Sequence, residues 1–154
     1  MEDTPEAGQA MLERLAAVAG RHDLDALVEC FADDYRNESP VHPAQGFTGR
    51  AQVRRNWEFI FTALPDITAR VLRSCSSGDA VWSEWEMTGT RPDGTAMQMA
   101  GVVIFGVRSG QFSWARWYLE PVQPGGPDAD AAVRQRVDGG EPAADPGPSP
   151  SSAR

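Results

Sequence analysis

The chain has 154 residues, a hydrophobic fraction of 41 % and a formal net charge of −8 at pH 7, the proportions of one globular domain with one core. No basic stretch and no apolar run of membrane-spanning or signal-peptide length stands out. This argues against nucleic acid and membranes as partners and leaves the cytoplasm as the expected location. Cys30 and Cys75 are too few for a disulfide framework and lack metal-site spacing, so they read as reduced structural thiols.

Residues 1–8 are polar and are expected to fray. From Ala10 to Ala19, Met11, Leu12, Leu15 and Val18 form the apolar stripe of a first helix, which Gly20 ends. Asp23 or Asp25 can cap a second helix. Its residues Leu24, Leu27, Val28 and Phe31 fall at i, i+3, i+4 and i+7, and Asp33-Asp34 breaks the pattern. Tyr35–Val41 reads as a short strand or extended segment entering a loop, since Pro40 and Pro43 bias the residues before them towards extended backbone. Thr48-Gly49 opens a third helix, in which Val53, Trp57, Ile60, Phe61 and Leu64 repeat on one face until Pro65 stops it.

Four strand-like runs follow: Ala69–Ser76, Ala80–Arg91, Thr95–Val107 and Gln111–Leu119. The turns between them are Ser77-Gly78-Asp79, Pro92-Asp93-Gly94 and Ser109-Gly110. No helix-length gap separates the runs, which predicts an antiparallel meander. Residues 122–154 are rich in Pro, Gly, Asp, Ser and Ala and lack the apolar surface to offset their ordering entropy. They are expected to form a disordered tail, with at most a turn or two of helix over 129–137. The predicted organisation is a frayed start (1–8), an α+β domain (9–121) and the tail (122–154).

The turns fix a trial register. A three-residue Pro92–Gly94 loop sets Met87 opposite Met99, Trp85 opposite Gly101 and Ser83 opposite Val103. A two-residue Ser109-Gly110 loop sets Phe105 opposite Trp114, Val103 opposite Arg116, Gly101 opposite Tyr118 and Met99 opposite Glu120. One face then carries Val81, Ser83, Trp85, Met87, Met97, Met99, Gly101, Val103, Phe105, Phe112, Trp114, Arg116, Tyr118 and Glu120, and is expected to meet the helices. The other carries Trp82, Val102, Ile104, Trp117 and Leu119 among polar residues, a surface suited to a homodimer. A one-residue slip or a bulge would exchange these lists. Gly101, in mid-strand, either leaves room for a ligand or permits a bend.

The run from Arg21 to Asp33-Asp34-Tyr35, the helix-opening Gly46-Phe47-Thr48-Gly49-Arg50, the segments Trp82–Gly89, Thr90–Gly94 and Gly101–Val107, and Gly110 leading into Arg116-Trp117-Tyr118-Leu119-Glu120 together resemble the SnoaL-like proteins of the nuclear transport factor two-like superfamily. The resemblance covers about residues 8–121. It implies a cystatin-like conical α+β barrel, a curved antiparallel sheet wrapped around three N-terminal helices, with a deep apolar pocket. Relatives include polyketide cyclases, ketosteroid isomerase and limonene-type epoxide hydrolases, so fold leaves function open. The cyclases and isomerases use a pocket carboxylate as proton acceptor, and Glu38 and Glu120 stand where such a group would match. Asn37, Arg116 and Glu120 could imitate part of the epoxide hydrolase network.

Read from their own chemistry, the candidates each carry an alternative. Glu38 is a proton acceptor with pKa raised in an apolar cavity, or a solvated loop residue. His42, between two prolines, is a second acid or base or an exposed loop histidine, and His22 reads as structural. Arg116 and Glu120, four apart on one strand face, pair internally, or Arg116 polarises a substrate. Tyr118 donates to a developing oxyanion or is a satisfied core aromatic. Tyr35, Trp57, Trp85, Met87, Met99, Gly101, Val103 and Trp114 would line the pocket, or are plain core. No phosphate loop, nucleophile triad or metal motif is present, so neither cofactor nor metal is expected. The expected function is a cofactor-independent cyclase, isomerase or epoxide hydrolase acting by proton transfer on a hydrophobic polyketide-, steroid- or terpene-like substrate. The alternative is a non-catalytic ligand-binding or dimeric interaction module on the same fold.

Overall fold

A computed structural model describes residues 4–139, which fall in two units, Met1–Val122 and Gln123–Arg154. In the first unit, helix α1 (Pro5–Gly20) starts where the Thr4 hydroxyl accepts from the Ala7 amide at 3.2 Å, with Pro5 in the first turn. Residues 5–8, expected to fray, are therefore helical, and residues 1–3 lie outside the described residues. The stripe Leu12, Leu15, Val18 and Ala19 is buried and faces the sheet.

Helix α2 (Leu24–Glu29), capped by the Asp23 carboxylate on the Ala26 amide, is only six residues long. Phe31, placed by its spacing on the helix face, instead opens strand β1 (Phe31–Glu38). The competing interaction is with the far end of the chain: the Phe112 amide donates to the Cys30 carbonyl at 2.8 Å, and Phe31 pairs with Phe112. A ladder bond to a buried strand there replaces a last turn of helix. Strand β2 (Phe47–Thr48) pairs with β1, Gly49 turns the chain with φ 97°, and α3 (Arg50–Ala63) ends at Leu64, before Pro65.

Strands β3 (Thr68–Ser77), β4 (Ala80–Thr90), β5 (Ala96–Arg108) and β6 (Gln111–Pro121) form the expected antiparallel meander. The sheet has six strands in the order β2-β1-β6-β5-β4-β3, because β1 adds itself parallel to β6. The fold is α+β, with a curved sheet and helices α1–α3 in the first unit.

The β4–β5 register is the one the turn predicted: Met87 opposite Met99, Trp85 opposite Gly101 and Ser83 opposite Val103. The β5–β6 register begins as expected, with Arg108 opposite Gln111, and then shifts. Val107 faces Phe112 and Gly106 faces Trp114, so Ser113 is an extra residue, a β-bulge. Beyond it Phe105 faces Ala115, Val103 faces Trp117 and Gly101 faces Leu119. Every later β6 side chain changes face. Ala115, Trp117 and Leu119 point inward, and Trp114, Arg116 and Tyr118, expected inside, lie on the outer side. The expected dimer surface loses Trp117 and Leu119 for the same reason, and Ile104 is buried, while Trp82 remains 46 % exposed.

Two observations account for the bulge. A Cβ on Gly106 would stand 1.8 Å from Trp114 Nε1, so the indole fills the space a side chain there would need. The unbulged register would also drive the Arg116 guanidinium into apolar packing, which is far costlier than placing Trp117 there. The core around this register joins Leu12, Leu15 and Leu27 to Phe31, Phe105 and Phe112, with the last two rings stacked at 4.2 Å. Each such side chain contributes about 1.5–3 kcal/mol by burial.

Gly101 lets the β6 backbone approach β5 closely and leaves no room for a ligand. Its φ is 152°, and a Cβ there would lie 2.2 Å from the Tyr118 carbonyl oxygen. In the second unit, helix α4 (Ala129–Asp138) is capped by Asp128 and ends at Gly139. It is longer than the turn or two the composition allowed, and residues 140–154 of the expected tail lie outside the described residues. Among the described residues no helix is long and apolar enough to cross a membrane.

Gly101→Ala should lower unfolding free energy by about 2–4 kcal/mol in urea denaturation, since backbone rather than a movable side chain blocks the new methyl. The Asp66 carboxylate accepts from the Thr90 hydroxyl (2.7 Å) and amide (2.8 Å). These bonds, the hydroxyl's first, hold its pKa below the usual carboxylate range. A group depressed on folding stabilises fully above its unfolded value and loses that contribution as pH falls through its folded one. The stability deficit of Asp66→Asn, largest at neutral pH, should therefore shrink as pH drops below about 4, as read by urea denaturation at stepped pH.

Candidate functional site

One cavity of about 580 Å³ opens between α3, the loop of residues 39–46 and the inner face of the sheet, within the size range of small-molecule sites. Helix α3 supplies Val53, Trp57 and Ile60 at i, i+4 and i+7, the inward face of its pattern, with Gln52 and Asn56 beside them. The sheet supplies Met87, Met97, Met99, Trp117 and Leu119, and β1 supplies Phe31, Tyr35 and Asn37. A smaller apolar hollow beneath shares Phe31, Trp57, Met87 and Trp117 with it and adds Trp85.

Deep in this wall three polar groups form a relay. Trp117 Nε1 donates to the Tyr35 hydroxyl at 3.2 Å, and Tyr35 donates to Asn37 Oδ1 at 2.9 Å. An indole can only donate, so the Tyr35 oxygen must accept from it and pass its own hydrogen to Asn37. That fixes the amide: its oxygen is tied, its Nδ2 has no acceptor among the described residues, and Asn37 lines the cavity. Asn37 is only 8 % exposed. Burial pushes the Tyr35 phenol far above its ordinary pKa, with the Trp117 bond opposing the shift only in part. Tyr35 is thus a neutral structural donor rather than an acid.

Towards the rim, Gln52 Nε2 donates to Asn56 Oδ1 at 2.8 Å, and Arg55 donates to Gln52 Oε1 at 2.6 Å. Glu120 is the single formally charged side chain lining the cavity. His42 Nε2 lies 3.1 Å from Glu120 Oε1, and both side chains are nearly half exposed. His42 caps the single 3-10 turn Pro43–Gln45 in the loop that forms one wall.

The structure brings together part of the expected site. Tyr35, Trp57, Met87, Met99 and Glu120 line the cavity, and His42 reaches it through Glu120. Glu38 does not: it pairs with Arg36 at 3.1 Å and Arg116 at 3.7 Å, on the side of the sheet the bulge assigns to Arg116. Arg116 therefore pairs with Glu38 and not with Glu120. Tyr118 and Trp114 lie on that same outer face, Val103 is fully buried core, and the space beside Gly101 is filled by the β6 backbone. His22, read as structural, stacks on Phe61 at 4.7 Å and bonds the Ile67 carbonyl through Nε2.

The sequence reading put Trp117 on the outer face and named Asn37 only as a possible part of an epoxide hydrolase network, not as a partner of Tyr35. Tyr35 and Asn37 share a strand face by the period of two, a signal that could have found the pair. Neither a lysine nor a cysteine is among the lining residues. The chain has no lysine for a Schiff base, and the Cys30 thiol, buried and pushed up in pKa by desolvation, is a poor nucleophile. Among the described residues no three His, Cys, Asp or Glu side chains group as metal ligands.

Comparison with curated proteins finds no match. Solved structures share the fold. RV0760c from Mycobacterium tuberculosis, in complex with estradiol-17beta-hemisuccinate, superposes with a TM-score of 0.63 at 18 % identity over 73 % of this chain and 92 % of that one. An LEH-like epoxide hydrolase of M. tuberculosis gives 0.65 at 16 % over 75 % and 84 %. AclR from Streptomyces galilaeus gives 0.67 at 15 % over 88 % and 94 %. The SnoaL-like domain family matches residues 12–117, the span of helices and sheet that builds the cavity, and the chain belongs to that family.

Proposed function

We propose that the protein binds a largely apolar small molecule in this cavity and receives one hydrogen-bond acceptor of that molecule, a carbonyl, ether or epoxide oxygen, on Asn37 Nδ2. The observation that carries this reading is the relay from Trp117 through Tyr35 to Asn37, which spends three buried polar groups on aiming a single amide into an apolar hollow. Among the described residues no buried side-chain polar atom lacks a partner, so Asn37 Nδ2, which has no protein acceptor, is open to solvent, and a ligand offering a well-placed acceptor there replaces water. That RV0760c holds a steroid ester on the same fold supports the size and character of such a ligand.

Trp57 and Trp117 line the cavity, so intrinsic fluorescence reports occupancy. Titration with a steroid ketone should quench it saturably, and Asn37→Leu should weaken binding about tenfold, the worth of one hydrogen bond. Tyr35→Phe should lower stability by about 1–3 kcal/mol in urea denaturation, because it strands the Trp117 N–H and the Asn37 oxygen. An unchanged affinity in Asn37→Leu would refute the placement of the ligand.

The Glu120–His42 pair favours a second reading, a proton-transfer enzyme. Glu120 takes a proton from the bound molecule at the rim, and His42 orients its carboxylate, in a cyclisation, isomerisation or epoxide opening. Incubation with cell extract should then yield a product that both Glu120→Gln and His42→Ala abolish, and turnover intact in both variants would remove this reading. We further propose a homodimer through the outer sheet face, where Trp82, Val102 and Tyr118 remain. Light scattering should give twice the chain mass at micromolar concentration, and a monomeric mass would count against it.

A further inference from the structure

Resting on the binding reading above, we propose that the cavity selects ligands whose second polar end is a protonated amine, seated at Glu120. The cavity's charge is one-sided. Glu120 is charged, and no arginine or histidine is among the lining side chains. The cations closest by sequence or strand pairing are committed elsewhere: Arg36 and Arg116 to Glu38, and Arg50 to Asp33. His42 engages only Oε1 of Glu120, and Oε2 has no partner among the described residues.

An ammonium entering the rim therefore meets a carboxylate oxygen that is open to it. A carboxylate end of the same shape meets a like charge at Glu120, and the cationic groups beside the lining are engaged, His42 with Glu120 Oε1 and Arg55 with Gln52 Oε1. The whole chain, at −8, adds a field of the same sign. Both ends of such a ligand are then recognised, an acceptor oxygen at Asn37 and an ammonium at Glu120, with an apolar body between them. Because Glu120 is nearly half exposed, the preference is modest, up to about fivefold over an uncharged isostere.

The test uses the full chain and three probes of one shape, adamantylmethylamine, adamantylmethanol and adamantane carboxylate, titrated by tryptophan fluorescence in low salt at neutral pH. The amine should bind tightest and the carboxylate weakest, and added salt should narrow the spread. Glu120→Gln should remove the amine's advantage over the alcohol, and Glu120→Arg should invert the order of amine and carboxylate. If the alcohol binds but the amine binds no tighter, or if Glu120→Gln keeps the preference, charge selection is overturned while the cavity reading stands. If none of the three probes binds, the cavity reading falls and the selection falls with it.

Discussion

One extra residue in β6 decides what this protein can do. In an unbroken ladder, Arg116 and Tyr118 would enter the hollow and give it a cation and a phenol. With Ser113 bulged out, Trp117 and Leu119 enter instead, and the charge goes to the far side to meet Glu38. The trade is set by local packing: Gly106 has no side chain, and Trp114 takes the space. A sheet face is an all-or-none choice for every residue downstream, so this contact between a glycine and an indole sets the polarity of a cavity several residues away.

The interior that results is neutral. Its deep polar groups are a phenol held protonated by burial and an amide whose oxygen is already engaged. Chemistry that needs a buried carboxylate has none to use at that depth, and the ionisable pair sits at the rim, where water competes. Relatives on this fold differ in activity, and the fold accommodates that because the sheet and helices supply a hollow while a few substitutable wall positions supply the reactive groups. In this chain the polar side chains of the cavity wall include Asn37, Asn56 and Glu120.

The legible parts of the sequence were those governed by local rules. The meander, its turns and the β4–β5 register followed from turn residues and alternation, and the inward faces of α1 and α3 followed from helical spacing. What escaped was set by partners distant in the chain. Phe31 sits at a helical position by spacing, and only its pairing with Phe112 makes it a strand residue. Arg116 sits inside by alternation, and only the bulge turns it out. The polarising roles given to Arg116 and Tyr118 inherited that parity and moved with it, while Glu38, placed near the pocket mouth by its position after the second helix, pairs with Arg36 and Arg116 instead. Glu120 survived as a lining residue because it lies at the strand's end, where the cavity opens.

The parallel pairing of β1 with β6 also bears on how the chain assembles as it is made. Strand β1 leaves the ribosome well before β6, with helix α3 and strands β2 to β5 made between them. Until β6 emerges, Phe31 and Tyr35 have no strand to lie against, and the hollow they wall does not exist. A nascent chain stopped before β6 holds helices and an open-edged meander with its aromatic side uncovered, a form prone to association. The link that closes the sheet is also its longest loop in sequence, so its closure is expected to set the pace of folding.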